Sequence, residues 1–214
     1  MWQLANEPMA DERGANIGGL GGFLCRMEVL IRKAEPHDVP RMLELVRELA
    51  AFERAPDEVT VTEEHMRDAG FGTDPVWVGW VAEIPLHVDR LASSKLDTVG
   101  TETQPVNLPT SQPANSIVGM AVCYERYSTW KGRRLYLEDI IVTESVRGLR
   151  IGEKLFKECA RYAVEKEYSG MLWQVLDWNK DAIRFYDRFG AKYSAEWLNG
   201  SLELEELKEI ALEL

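Results

Sequence analysis

Two short runs in this chain carry the residue types that do chemistry. The first, Arg147-Gly148-Leu149-Arg150-Ile151-Gly152, stands between an apolar run and the start of a helical pattern. Amides at a helix N-terminus lack intrahelical partners and lie at the positive end of the macrodipole, so a glycine-containing turn there can grip a diphosphate. Glycine matters because a side chain would hold the phosphates away from the main chain. The spacing is not that of a P-loop, which needs Gly-Lys followed by Ser or Thr, nor that of the dinucleotide fingerprint. An ordinary strand-to-helix turn would carry the same letters, so the run by itself leaves both readings open. The second run is Glu138-Asp139, two adjacent carboxylates inside the otherwise apolar stretch Leu135 to Val142. A carboxylate is costly in a buried strand unless it is used. The pair suits either proton chemistry on a cationic substrate or salt bridges at a sheet end. Side chains alternate along a strand, so the two face opposite sides unless a bulge intervenes.

Both runs need elements to position them. A short strand is expected from Glu28 to Arg32. Pro36, Asp38 and Pro40 then mark a turn and helix start, before Val39, Met42, Leu43, Val46, Leu49 and Ala50 recur at helical spacing. Thr62 caps a second helix through about Gly70, and Val76 to Ile84 reads as a strand. Ile117 to Tyr127 and Arg134 to Thr143 are apolar, β-branched runs joined by a short polar link, the pattern of an antiparallel hairpin. Ile151, Leu155, Phe156, Cys159, Ala160 and Ala163 mark an amphipathic helix, and Met171 to Leu176 another strand. That series implies a parallel pair joined by a helical crossover. Asn179 caps a short helix through Phe189, Gly190 ends it, and Trp197 to Leu204 reads as a terminal strand before an acidic tail.

The order is a mixed α/β one with a single domain at 28–214. Residues 1–27, with Gly14, Gly18, Gly19, Gly21 and Gly22, read as a flexible tail, and Met27 as a possible internal start. His87 to Ser116 carries Pro105, Pro109 and Pro113 and no periodic apolar face, so 87–116 reads as a long disordered loop.

Composition narrows the class of partner. A formal net charge of −11 argues against nucleic acid, whose phosphates call for clustered Lys and Arg. It suits a cationic ligand, although solubility alone also explains an acidic surface. No apolar run reaches the ~20 residues of a membrane-spanning helix, so no membrane partner is expected. Cys25, Cys123 and Cys159 lack the close pairing of a zinc or redox motif and read as reduced, and no metal site is expected. The first residues lack the basic start and apolar stretch of a secretory signal, so cytoplasmic residence is the default.

Taken in order, Leu135-Tyr136-Leu137-Glu138-Asp139-Ile140-Ile141-Val142, the Arg147 to Gly152 run, Asp177-Trp178-Asn179, and Phe185-Tyr186 before Phe189-Gly190-Ala191 resemble the Gcn5-related N-acetyltransferases (GNAT). Within that family the chain is similar to the diamine branch, the spermidine/spermine and thialysine acetyltransferases. The similarity runs from about Ile31 to about Leu207 and includes Phe71-Gly72 and Val81-Ala82-Glu83. It implies an α/β (α+β) fold with a mixed, mostly antiparallel central sheet, a splayed parallel strand pair and flanking helices. It also implies transfer of the acetyl group of acetyl-CoA, a co-substrate, to a primary amine of a small cationic acceptor, and a homodimer. Two departures stand out: Arg150 replaces a usual glycine of the cradle, and Ser128-Thr129-Trp130 lacks an acidic residue that polyamine enzymes tend to carry.

An alkyl ammonium with a pKa near ~10 must lose a proton before it attacks a thioester. Glu138 is the expected base, directly or through a water, with Asp139 orienting the cation. The resemblance implies that Tyr186 protonates the departing CoA thiolate, and that main-chain amides of Ile140, Ile141 and Val142 bind the thioester carbonyl and pantetheine, freed by a bulge there. Arg147, Gly148, Leu149, Arg150, Ile151 and Gly152 would hold the diphosphate, and Asn179 the pantetheine arm if it does more than cap its helix. Phe52 and Glu53 match positions that bind the acceptor's far ammonium, and Trp130 either lines that pocket or covers the hairpin. A non-catalytic acyl-CoA or polyamine sensor, and a protein lysine or N-terminal acetyltransferase, are the alternative readings.

Overall fold

A computed structural model describes residues 2–3, 29–85 and 115–212. The expected tail beyond Gln3 and nearly all of the expected 87–116 loop lie outside these residues; Asn115 and Ser116 belong to a strand rather than to the loop. The strands are β1 (Trp2–Gln3), β2 (Leu30–Lys33), β3 (Val78–Pro85), β4 (Asn115–Ser128), β5 (Gly132–Val142) and β6 (Met171–Leu172). The helices are α1 (Val39–Phe52), α2 (Glu63–Phe71), α3 (Ile151–Glu165), α4 (Lys180–Asp187) and α5 (Leu204–Leu212).

The sheet runs β1-β5-β4-β3-β2, with β6 also on β5. β2–β3, β3–β4 and β4–β5 are antiparallel, while β1 and β6 both pair parallel to β5. This is the mixed, mostly antiparallel sheet expected, with helices on both faces. On one face α3 and α4 bury Leu155, Phe156, Cys159, Phe185 and Tyr186 against Ala82, Ala121, Leu135, Leu137 and Ile140. On the other, α1 and α2 bury Met42, Leu43, Leu45, Leu49 and Met66 against Val81, Met120, Val122 and Ile141. Cys123 and Cys159 are free and buried, as small apolar residues would be.

A half-buried ion cluster fixes where α1 begins. Arg32 on β2 donates to both oxygens of Asp38, at 2.7 and 2.8 Å, and to Glu83 Oε1 on β3. Burial alone would raise the Asp38 carboxyl; the Arg32 bonds and the Glu35 amide overcome that and hold it below its usual value. The N-terminus of α1 is thereby pinned to the sheet, and its far end delivers Phe52 and Glu53 toward β5.

Three expectations about elements need correction. The strand Met171 to Leu176 is only Met171–Leu172, because its pairing with β5 stops at Tyr136↔Leu172, two residues before the irregularity of β5 at Glu138. Trp197 to Leu204 is no strand; Asn199 and Gly200 interrupt its alternation and β6 is too short to offer an edge. The acidic end is instead α5, whose Leu204, Leu207 and Ile210 recur at helical spacing. The α4 helix ends at Asp187 rather than Phe189, with Gly190 at φ 75 in the turn that follows.

Candidate active site

The register of the β4–β5 hairpin places the two carboxylates. Cys123 faces Leu137 and Val122 faces Asp139, so Glu138 is an extra residue on β5, a β-bulge. Val122 packs on the α1 face and Cys123 on the α3 face, and residues directly opposite share a face. Asp139 therefore looks toward α1. Glu138 follows Leu137, which is on the α3 face, and so looks toward α1 as well. The two share a face because the bulge resets the alternation, the one exception the strand pattern allows. It sits at Glu138 rather than in Ile140 to Val142, and the pairing of β6 with β5 ends two residues before it, at Tyr136. This is the splayed parallel pair.

On the α1 face, Glu138 lies within hydrogen-bonding reach of Tyr124, whose ring stacks on Tyr136 at 5.0 Å. Partial burial, then the neighbouring Asp139 charge, raise the Glu138 carboxyl above its usual value, against the Tyr124 hydrogen bond. Glu53 closes α1, where its amide donates to Leu49 O at 3.0 Å. Its Oε1 is buried without a hydrogen-bond partner among the described residues. Burial first, and Asp139 after it, push its carboxyl up also. Glu53, Glu138 and Asp139 thus share a field that one cation would relieve. Phe52, the last residue of α1, meets Trp178 at 5.6 Å between ring centroids. Tyr124 and Trp178 were not singled out as site residues by sequence reasoning. For Tyr124 the signal existed: the Ser128–Gly132 link sets it opposite Tyr136.

The cradle forms at the other end of β5. After the turn Glu144–Val146, Gly148 (φ 85) and Arg150 (φ 56) both take left-handed backbone before α3 starts at Ile151. Gly148 adopts this conformation without strain, whereas Arg150 does so at a cost. Together they wrap the chain around the N-terminus of a fifteen-residue helix, whose first amides have no helical partner. Leu149 is half-buried, and Ile151 and Gly152 are buried. The Arg150 side chain is exposed, free to reach a phosphate. Arg147 is turned the other way, donating from Nε to Val142 O at 3.1 Å. Such a turn fits a diphosphate.

The remaining residues frame the splay. Asn179 is buried and its Oδ1 accepts from the Ala182 amide at 3.1 Å, the expected cap of α4. Tyr186 on α4 is fully buried, its ring 4.8 Å from that of Trp173, the residue after β6. Burial raises its phenol well above the ordinary value. Tyr186 therefore borders the splay from the α4 face and Glu138 from the α1 face. Ile140 and Ile141, whose amides were assigned to pantetheine, stand in register with Trp2 and Gln3 of β1, which shares that edge of β5. Trp130 is 85% exposed in the hairpin turn and is not brought to the carboxylates within this chain.

Comparison with known proteins accords with this geometry. The acetyltransferase (GNAT) family model matches residues 106–191. A thialysine N-epsilon-acetyltransferase of Bos taurus is 37% identical, over 86% of this chain and 97% of its own length. The spermidine/spermine N(1)-acetyltransferase-like protein 1 of Homo sapiens is 32% identical over 86% of this chain and 24% of its own longer one. Among solved structures, an integron cassette protein from V. cholerae superposes with a TM-score of 0.58 at 19% identity, covering 86% of this chain and 97% of that one. The chain belongs to the acetyltransferase (GNAT) family, in the branch that holds the thialysine and spermidine/spermine-like enzymes.

Proposed function

We propose that this acetyltransferase moves the acetyl group of acetyl-CoA to a primary amine of a small cationic acceptor, a diamine, polyamine or lysine-like amine, by direct attack. The observation that carries the reading is the gathering of Glu53, Glu138 and Asp139 around the bulge, with a buried Glu53 oxygen that lacks a hydrogen-bond partner among the described residues. The Asp139 charge raises the proton affinity of both Glu53 and Glu138, and an ammonium ion placed among the three relieves that repulsion. Members of this family use acetyl-CoA as co-substrate. Here the α3 N-terminus with Gly148 and Arg150 would take its diphosphate, and the splay between β5 and β6 its thioester arm.

In this reading Glu138 removes a proton from the acceptor ammonium, directly or through one water, while Asp139 and Glu53 hold the cation. The neutral nitrogen attacks the thioester carbonyl from the α1 face, and main-chain amides past the bulge stabilise the oxyanion. As the C–S bond breaks, Tyr186 gives its proton to the thiolate from the α4 face, and the second proton of the acylated nitrogen passes through water to restore the phenol. The products are the N-acetylated amine and coenzyme A. The two proton-transfer groups need not touch, because the nucleophile arrives on one face of the sheet and the leaving group departs on the other. The raised Glu138 value makes that carboxylate a better base, while the Tyr186 phenol, protonated at neutral pH, has a proton to give once the thiolate forms. Thioester binding along Ile140 and Ile141 requires β1 to give way.

We also propose a homodimer and a cytoplasmic location. Trp197 and Leu198 are 76% and 97% exposed, and α5 leaves Leu204, Leu207 and Ile210 uncovered, an apolar surface that a second copy would bury. Buried free thiols suit a reducing compartment. The catalytic reading is tested by coenzyme A thiol release and product mass with a panel of diamines, polyamines, amino acids and lysine-containing peptides. Turnover of small diamines or lysine-like amines supports it. Turnover of peptides alone, or tight coenzyme A binding without turnover of any amine, overturns it.

A further inference from the structure

Arg126 on β4 and Arg134 on β5 stand directly opposite each other in the hairpin register. Leu135 and Leu137 pack on the α3 face, so the two arginines, like Tyr124 and Tyr136 beside them, belong to the α1 face. Like charges directly opposed across two strands destabilise the pair unless an opposite charge joins them. Among the described residues none does. Neither guanidinium donates a hydrogen bond or forms an ion pair there, and Arg134 Nε is buried without an acceptor. The acid next to Arg126 in sequence, Glu125, faces the α3 side, where Arg133 at 3.4 Å and the Tyr168 hydroxyl at 2.9 Å already engage it. Glu138 shares the α1 face but lies beyond the Tyr124–Tyr136 stack. Burial and then Glu138 raise the Tyr136 phenol while Arg126 opposes them, as befits a ring standing between the two charges.

We propose that Arg126 and Arg134 form a binding site for a phosphate dianion, either the free ion or a monoester. Arg134 is the fixed half: its guanidinium fills the space of the side chain that Gly170 lacks, where a Cβ would come within 2.8 Å of Nη2. Arg126 is the movable half, exposed and resting over the Tyr136 ring at 5.8 Å from the centroid. The next pair toward the hairpin turn is Ser128↔Gly132, and a Cβ at Gly132 would meet nothing within 4 Å, so that end of the face is open to a ligand. Each guanidinium presents a fork that matches two oxygens. A phosphate has oxygens enough for both forks and charge enough to cancel both arginines, whereas a monocarboxylate serves one. The site is separate from the cradle. Arg134 is near the start of β5 and the cradle follows its end, roughly 25 Å of strand away at ~3.3 Å per residue. The proposal therefore does not depend on the catalytic reading.

The experiment titrates inorganic phosphate, glycerol 3-phosphate and acetate into the full chain by calorimetry at constant ionic strength, with and without excess coenzyme A. It is repeated on Arg126→Gln, Arg134→Met and, as a control on the opposite face, Arg133→Gln. Wild type and Arg133→Gln should bind phosphate saturably with coenzyme A present, and acetate should not compete. Arg126→Gln and Arg134→Met should each weaken phosphate binding by roughly ten- to a hundred-fold. Tighter binding of glycerol 3-phosphate than of the free ion assigns the site to a monoester, and weaker binding assigns it to the ion. Thermal unfolding at low salt without phosphate checks the fold: Arg126→Gln removes the repulsion and should melt at or above the wild-type temperature. Four results would overturn the proposal: no saturable binding, binding that coenzyme A abolishes, binding that survives both arginine variants, or an equal loss in Arg133→Gln. The arginine variants decide the matter whether or not any amine is acetylated.

Discussion

A carboxylate kept for a cation should weaken the protein when the cation is absent, and Glu53 allows that to be measured. Its Oε1 is buried without a hydrogen-bond partner among the described residues, and an unsatisfied buried acceptor costs about 1–3 kcal/mol. Glu53→Met keeps the length and removes both charge and acceptor, so it should stabilise the ligand-free protein by about that amount. In a chain of this size each kcal/mol moves Tm by about 2–4 °C. The effect must also depend on pH. The folded state raises the Glu53 value, so it binds the proton more tightly than the unfolded chain does. Wild-type stability is then lost as pH rises from the unfolded value near ~4.3 through the raised folded value, and the deficit is complete above it. The gain from Glu53→Met should accordingly be full at neutral pH and shrink in acid. Thermal unfolding followed by circular dichroism at several pH values reads both. Addition of 1,5-diaminopentane should raise the wild-type Tm more than the variant's. A variant less stable than wild type at neutral pH, or a difference that ignores pH, would refute the assignment of Glu53 as a cation-holding group.

Three further outcomes follow from the same geometry. Glu138→Gln should lower kcat by about a hundred-fold or more and abolish the acidic limb of the pH–rate profile, which in wild type rises as Glu138 ionises above its usual carboxylate range; an unchanged limb would assign the base elsewhere. Tyr186→Phe keeps the ring against Trp173 and should lower kcat by about a hundred-fold while leaving coenzyme A affinity by calorimetry unaltered; loss of affinity instead would make the hydroxyl a binding group. A chain beginning at Met27 lacks the β1 residues registered with Ile140 and Ile141, so it should bind coenzyme A as tightly as the full chain or more tightly; weaker binding would show that β1 helps to build the site.

The sequence made much of the frame legible, because its strongest signals are local. The Thr62 and Asn179 caps lie where their side chains accept from amides three residues on, and the hairpin link falls between two β-branched runs. The cradle was legible from a glycine turn between strand and helix. The bulge could have been found too, since Leu135 and Leu137 share a face with Ile140 and Val142, and that parity change falls at Glu138-Asp139. What escaped was set by pairing across the chain. The length of β6 depends on where β5 turns away, and whether Trp197 to Leu204 forms a strand depends on an open edge. Phe52 and Trp178 are distant in sequence and meet only because α1 ends beside the 177–179 turn.

The central claim is that the acetyl group passes straight from coenzyme A to an amine without a stop on the protein. A single-turnover experiment with labelled acetyl-CoA and excess protein tests it most directly. The account predicts no thiol release until lysine or 1,5-diaminopentane is added, then one free thiol for each acetylated amine. Thiol release without an amine, or label retained on the protein after turnover, would contradict it.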